Sequence, residues 1–194
     1  LGLGPWQPVG KRHFLRGVWL GCATVAVILG IYLLTGACQI RIHPDTARVW
    51  RTLIAFVPAA VLVGVLEELV FRGYVLRQLL ACSPWVAVVG SSAAYAVVHL
   101  RAIPVWPQSA FELMGLFILG VTLALGTLRT QQLYLAIGLH ASLAYWVRVN
   151  KLLITFPDPA WEWLVGTNRL ANGVLAWVVL LGLGWVVSRT RRVV

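Results

Sequence analysis

Charge is what this sequence has least of, and acidic charge least of all. Six Asp and Glu stand against sixteen Lys and Arg, and charged residues together make up only 11% of the chain. A soluble domain carries about 25% charged residues and about 45–50% apolar ones. With 60% apolar residues, this chain cannot build a water-covered surface, so lipid must cover much of it. The mean hydropathy of +0.84 agrees. Cysteine is scarce too: Cys22, Cys38 and Cys82 are odd in number and fit no metal-ligand spacing, so neither a disulfide framework nor a zinc motif is indicated. Basic residues interleaved with aromatics are missing, which argues against a nucleic-acid groove despite a formal net charge of +10. The basic residues instead sit mainly between apolar runs, where they anchor loops and meet anionic headgroups. No long-period repeat is present.

What is present is a series of apolar runs of membrane-spanning character, each needing about 20 residues to cross a bilayer. Gly17–Gln39 carries no charge and predicts a first helix. It is too long for the 7–15-residue apolar core of a signal peptide, so it reads as a retained helix. After a polar loop containing Arg41, His43 and Asp45, a second helix is predicted from Leu53 to about Leu80, continuing past Glu67 and Glu68. Ser83-Pro84 marks a break, and Trp85–Leu100 is a third helix. Pro104 and Pro107 bracket a short loop before a fourth, Ser109–Leu128. Gln132–Val147 is a fifth. Lys151–Asn172, with Pro157, Asp158, Pro159, Trp161 and Trp163, reads as a loop with an interfacial segment. Gly173–Ser188 is a sixth helix, stopped by Arg189, Arg191 and Arg192. The expected fold is all-α: a polytopic transmembrane bundle of about six spans enclosing a conical polar cavity. Residues 1–194 form one membrane-embedded domain, either trimmed at its amino terminus or cut from a longer chain, since the sequence starts at Leu1. A slight excess of basic residues on the amino-terminal side leans the N-terminus toward the cytoplasm.

Ionisable residues inside apolar helices are costly and point to function by default. Three groups qualify: Glu67-Glu68-Leu69-Val70-Phe71-Arg72, His99 closing one apolar helix, and His140 in the middle of another. On a helix, Glu68 and Arg72 at i, i+4 share a face and can pair. Glu67, rotated by about 100°, cannot easily share that arginine and is free for general-base work. A lone Glu-Glu-x-x-x-Arg is ordinarily a structural ion pair, and a lone buried His a satisfied core residue. Burying all of these groups apart and unpartnered would cost several kcal/mol each, which favours a common polar cavity. His13, in the basic amino-terminal stretch, and His43, in the loop, are left outside it.

Taken in order, these motifs resemble the CAAX-protease and bacteriocin-processing (CPBP) family, which includes the type II CAAX prenyl endopeptidases. Glu67-Glu68-x-x-x-Arg72 is similar to its first motif, Tyr95-Ala96-Val97-Val98-His99 to its second, and His140 within Gly138-Leu139-His140-Ala141 to its third. The similarity runs from Leu53 to about Tyr145. The stretch from Trp163 to Leu170, with Gly173, also resembles the tail of some bacterial members. The resemblance implies an intramembrane endopeptidase of glutamic type in which Glu67 and His99 activate a water and His140 stabilises the oxyanion. Glu68 and Arg72 hold the helix and set the local charge. The family's usual Asn, four positions after the third-motif His, is here Ala144, so Ser142, Asn150 or a backbone N–H would have to supply a second oxyanion donor. No cofactor is expected. Zinc held by Glu67, His99 and His140 is the alternative within enzymes, and a membrane scaffold or immunity protein the alternative outside them. The expected partners are the bilayer and a membrane-associated peptide or protein, lipidated or not, at a bacterial inner membrane.

Overall fold

The structure, a computed structural model, describes residues 8–99, 108–156, 162–166 and 172–190. It is a helical bundle. Helix α1 spans Pro8–Leu34 and α2 Thr46–Glu68; α2 runs without a break through a π-helical segment, Leu69–Val75, into α3, Leu76–Leu79. Then follow α4 (Pro84–Val98), α5 (Gln108–Thr130), α6 (Tyr134–Leu153), a short α7 (Glu162–Val165) and α8 (Val174–Ser188). The all-α membrane-type bundle read from the sequence is the fold observed.

Several boundaries differ, for local reasons. Helix α1 starts nine residues earlier than the uncharged run, because Pro8 suits a first helical turn and Lys11, Arg12 and Arg16 do not break a helix. It ends at Leu34 rather than Gln39, with Gly36 just beyond at φ +72°. Asp45 caps α2, its side chain accepting from the Arg48 N–H at 2.9 Å, so the helix starts before the apolar run does. Ser83 does the same for α4, accepting from the Val86 N–H at 3.1 Å. Helix α6 carries on past Val147 to Leu153, which puts Lys151 on a helix rather than in the predicted loop, and Arg148 and Asn150 with it. A two-residue antiparallel ladder, β1 (Gln39–Ile40) with β2 (Ile154–Thr155), was not foreseen; it ties the ends of α1 and α6 together, with Gln39 opposite Thr155. The Pro104–Pro107 loop, the segment Pro157–Trp161, the tail positions Thr167–Leu170, and Arg191 and Arg192 lie outside the described residues.

Among the described residues, Pro8–Leu34, Thr46–Leu79 and Ser109–Thr130 are long and apolar enough to cross a membrane. Helices α4 and α8 are apolar but only 15 residues long, about 22 Å against a hydrocarbon core of about 30 Å. Helix α6 has the length but is the inner helix of the bundle, buried along most of its course. Its close neighbour is α1. A Cβ on Gly17 would overlap the Leu135 carbonyl oxygen, and one on Gly138 the Phe14 carbonyl oxygen, so these two glycines let the backbones touch. Leu20, Val25 and Ile28 of α1 and Leu135, Leu139 and Leu143 of α6 form the main core with Leu123 of α5 and Leu180 of α8.

Candidate active site

The first motif sits where α2 passes into the π-helical segment. Glu68 and Arg72 are completely buried, and Arg72 Nη1 donates to Glu68 Oε1 at 2.9 Å. Arg72 Nη2 donates to the Gly120 carbonyl on α5 at 3.1 Å, and its guanidinium lies 4.6 Å from the Tyr95 ring centroid. The pairing of Glu68 with Arg72, and the separate direction of Glu67, follow from helical spacing. The widened turn does not, although π turns recur at functional sites. Gly73, a weak helix former within the segment, is the only local cue.

Glu68 Oε1 also lies 2.8 Å from Nδ1 of His140, on α6. The oxygen is already the acceptor for Arg72, so the imidazole donates through Nδ1–H. His99, just past α4, donates Nδ1–H to the Tyr95 carbonyl at 2.8 Å, since a carbonyl can only accept. Both imidazoles therefore have Nδ1 committed, and both turn Nε2 toward the same atom. Glu67 Oε2 is 3.2 Å from His99 Nε2 and 3.6 Å from His140 Nε2. The His140 approach is too long for a hydrogen bond and that of His99 is not aligned as one, so this buried oxygen has no hydrogen-bond partner among the described residues. The Tyr95 ring fixes the group from one side: its centroid lies 4.5 Å from that of His99 and 5.7 Å from that of His140, the latter edge-on.

Glu67, Glu68, Arg72, His99 and His140 thus meet in one place, brought from the end of α2 and its π-helical continuation, the C-terminal end of α4, and α6. Glu67, Tyr95, His99 and His140 line a cavity of about 360 Å³. Its walls are otherwise mostly apolar, with Val63, Leu116, Leu119, Leu143 and Val147 among them, so it is less polar than the sequence suggested. Ala144 lines it. Neither Ser142 nor Asn150 does, which leaves a backbone N–H as the remaining one of the three expected second donors. Ser142 faces α1, donating to the Leu139 carbonyl at 2.9 Å beside Gly21, and Asn150 is buried among packed helices. Sequence reasoning missed Glu112 and Lys151, which also line the cavity. Their helical spacing, Glu112 with Leu116 and Leu119, and Lys151 with His140, Ala144 and Val147, held that signal. Among the described residues no group of three or more His, Cys, Asp or Glu side chains is arranged to hold a metal ion. His13 stands apart, 3.2 Å from Gln132 through Nδ1, and His43 lies at the exposed start of α2.

The family model described as type II CAAX prenyl endopeptidase Rce1-like matches residues 49–146, half of the chain and all five clustered residues. No curated protein and no solved structure matches the chain.

Proposed function

The chain belongs to the type II CAAX prenyl endopeptidase Rce1-like family, and from that premise we propose that it hydrolyses a peptide bond with a glutamate-activated water and no metal. At family level it is a CAAX-type intramembrane protease, an integral membrane protein acting on a membrane-associated protein. In the proposed mechanism Glu67 and His99 together hold a water on the cavity side of both. Glu67 takes its proton, and the hydroxide adds to the scissile carbonyl carbon. His140, with a proton on each ring nitrogen, donates Nδ1–H to Glu68 and Nε2–H to the oxyanion. The tetrahedral adduct then collapses as the proton passes from Glu67 to the departing amine nitrogen. The C–N bond breaks, and the products are a carboxylic acid and an amine. Arg72, buried behind the cavity, is a positioning residue that holds Glu68, and the Tyr95 ring holds the two imidazoles.

The observation that supports this reading best is the convergence of both imidazole Nε2 atoms on Glu67 Oε2, while Glu68 is held by Arg72. One carboxylate is neutralised and its neighbour is available, which gives the two acids different tasks. The test compares membranes containing the active protein with membranes containing Glu67→Gln and looks for a protein whose terminus shifts only with the former. Identical termini in both, with both proteins folded, would defeat the proposal.

A further inference from the structure

The pole of the bundle where α1 begins gathers the ends of several helices. His13 of α1 lies 3.2 Å from Gln132, in the turn before α6, and a Cβ on Gly10 would press on the Tyr134 ring. A Cβ on Gly126, near the end of α5, would meet Leu135 of α6 and Val187 of α8. Leu76, Leu79 and Leu80, in α3 and just past it, pack with Leu128 of α5. This pole therefore carries Lys11, Arg12 and Arg16 of α1, Arg77 of α3, Arg129 of α5 and Arg189 just past α8, all exposed except the half-buried Arg129. No acid accompanies them. The acidic residues of the chain stand at 45, 67, 68, 112, 158 and 162. Glu67 and Glu68 belong to the cluster, and Asp45, Glu112 and Glu162 sit in the first turns of α2, α5 and α7 or just before them, at the opposite pole. None of the cations named makes an ion pair among the described residues. The sequence spreads basic residues over every loop; the fold sorts them into one pole without acids and one with them.

We infer that this acid-free pole is a binding surface for the headgroups of anionic diacyl phospholipids. Three helices repeat one arrangement there, an exposed aromatic ring one turn closer to the middle of the bundle than an exposed arginine. Trp19 follows Arg16 on α1, Tyr74 precedes Arg77, and Trp185 precedes Arg189. The Arg189 guanidinium lies 5.0 Å from the Trp185 ring centroid. Helix α1 runs away from the pole and the other two run toward it, so the order along the chain reverses while the placement stays the same. Amphipathic rings settle at the headgroup level, and guanidiniums reach past them to phosphate. Deeper on the same helices Val27, Val70 and Leu181 are exposed and apolar. The matching ligand has its phosphate at the arginines, its glycerol backbone at the rings and its acyl chains along the apolar stripes. A soluble anion or an acidic protein would satisfy the arginines and leave the rings and stripes uncovered. At the opposite pole Arg41, Arg48 and Arg51 share their surroundings with Asp45, which weakens the attraction for an anionic headgroup.

The test titrates the whole chain, purified in a neutral detergent, with equal amounts of phosphatidylglycerol and phosphatidylcholine, and counts the lipids retained by native mass spectrometry. The wild type is expected to retain phosphatidylglycerol in preference, and the preference should shrink as salt is raised. Arg12→Gln with Arg16→Gln, and separately Arg77→Gln with Arg189→Gln, should each weaken it by about fivefold for every cation removed. Lysine at the same positions should keep most of it. Arg48→Gln with Arg51→Gln removes the same charge from the opposite pole and should leave it nearly unchanged. Trp19→Ala with Trp185→Ala should lower retention with every arginine in place. The substituted side chains are exposed, and a circular dichroism spectrum like the wild type's shows that each variant is folded. The salt titration needs no variant. A wild type with no preference, or with one indifferent to salt, overturns the inference. So does an equal loss from the opposite-pole pair, which would mean that net charge alone attracts the lipid. Displacement of the lipid by glycerol 3-phosphate at the same concentration also overturns it, because the pole would then be a site for a soluble anion.

Discussion

Glu68 and His140, seventy-two positions apart in the chain, meet through Oε1 and Nδ1 at 2.8 Å. The contact joins α2 to α6 beneath the cavity, and it exists because Arg72 makes a completely buried carboxylate tolerable. Charge alternates along the row: guanidinium, carboxylate, imidazole. A buried pair of this kind is weak evidence of added stability, but removing one partner leaves an uncompensated charge in apolar surroundings.

Arg72→Met should therefore destabilise the fold by about 3–5 kcal/mol. Glu68→Gln in the same chain should recover part of that loss, because the charge that Arg72 compensated is then gone. Denaturant unfolding of the purified protein in detergent measures both. An Arg72→Met protein as stable as the wild type would mean that the pair is not the anchor its burial suggests.

Ala144 stands one helical turn beyond His140 and lines the cavity, at the position where the family resemblance calls for an Asn. An amide placed there would add a second donor toward an oxyanion held by His140. Single oxyanion donors are worth about 10²–10³ in kcat, so Ala144→Asn is expected to raise kcat at least several-fold while KM changes little. Steady-state kinetics on a fluorescence-quenched peptide substrate would show it. A variant that folds and turns over no faster would argue that a backbone N–H already fills the role, or that the oxyanion lies elsewhere.

Much of the fold was legible because apolar runs and their breakers are local. Ser83-Pro84 announced the start of α4, and Gly173 that of α8. The cluster was legible because an ionisable residue inside an apolar helix has few acceptable fates, and Glu67, His99 and His140 each needed polar company. The unread part was non-local or depended on termini. Asp45 capping α2 and Pro8 opening α1 extended those helices beyond their apolar runs. The continuation of α6 to Leu153 hid Lys151 in a supposed loop, and with it the far end of the cavity. Within the π segment Arg72 meets Gly120 and Tyr95, residues of other helices that no window around position 72 contains. Six spans were expected from apolar runs alone; bundle geometry leaves α4 and α8 short, and α6 enclosed by its neighbours.

The contact of α1 with α6 rests on backbone approach rather than on side-chain bulk. Gly17→Val would place a branched side chain against the Leu135 carbonyl. Overpacking of this kind costs about 1–3 kcal/mol and forces backbone shifts. The expected result is a lower unfolding midpoint together with loss of activity, because α6 carries His140. Gly30→Ala on the same helix, where a Cβ would meet nothing within 4 Å, is the matched control and should be neutral. Equal stability of both variants would contradict the close packing.

The sharpest prediction concerns Glu67, whose side chain is 28% exposed and makes no buried ion pair with Arg72. Glu67→Gln keeps the shape and removes the base. A positioned general base contributes about 10²–10⁴ in rate, so cleavage should fall by that factor while the unfolding midpoint stays close to the wild type. A matching collapse of stability would reassign Glu67 to the scaffold. Chelation tests the rest of the reading. If the two imidazoles and Glu67 act on water directly, dialysis against a strong chelator leaves the rate unchanged. Activity abolished by chelation and restored by zinc, with zinc bound at one per chain, would turn Glu67, His99 and His140 into ligands. The Nε2 atoms that face Glu67 would then be facing a metal, and the water would be activated by its charge rather than by a carboxylate.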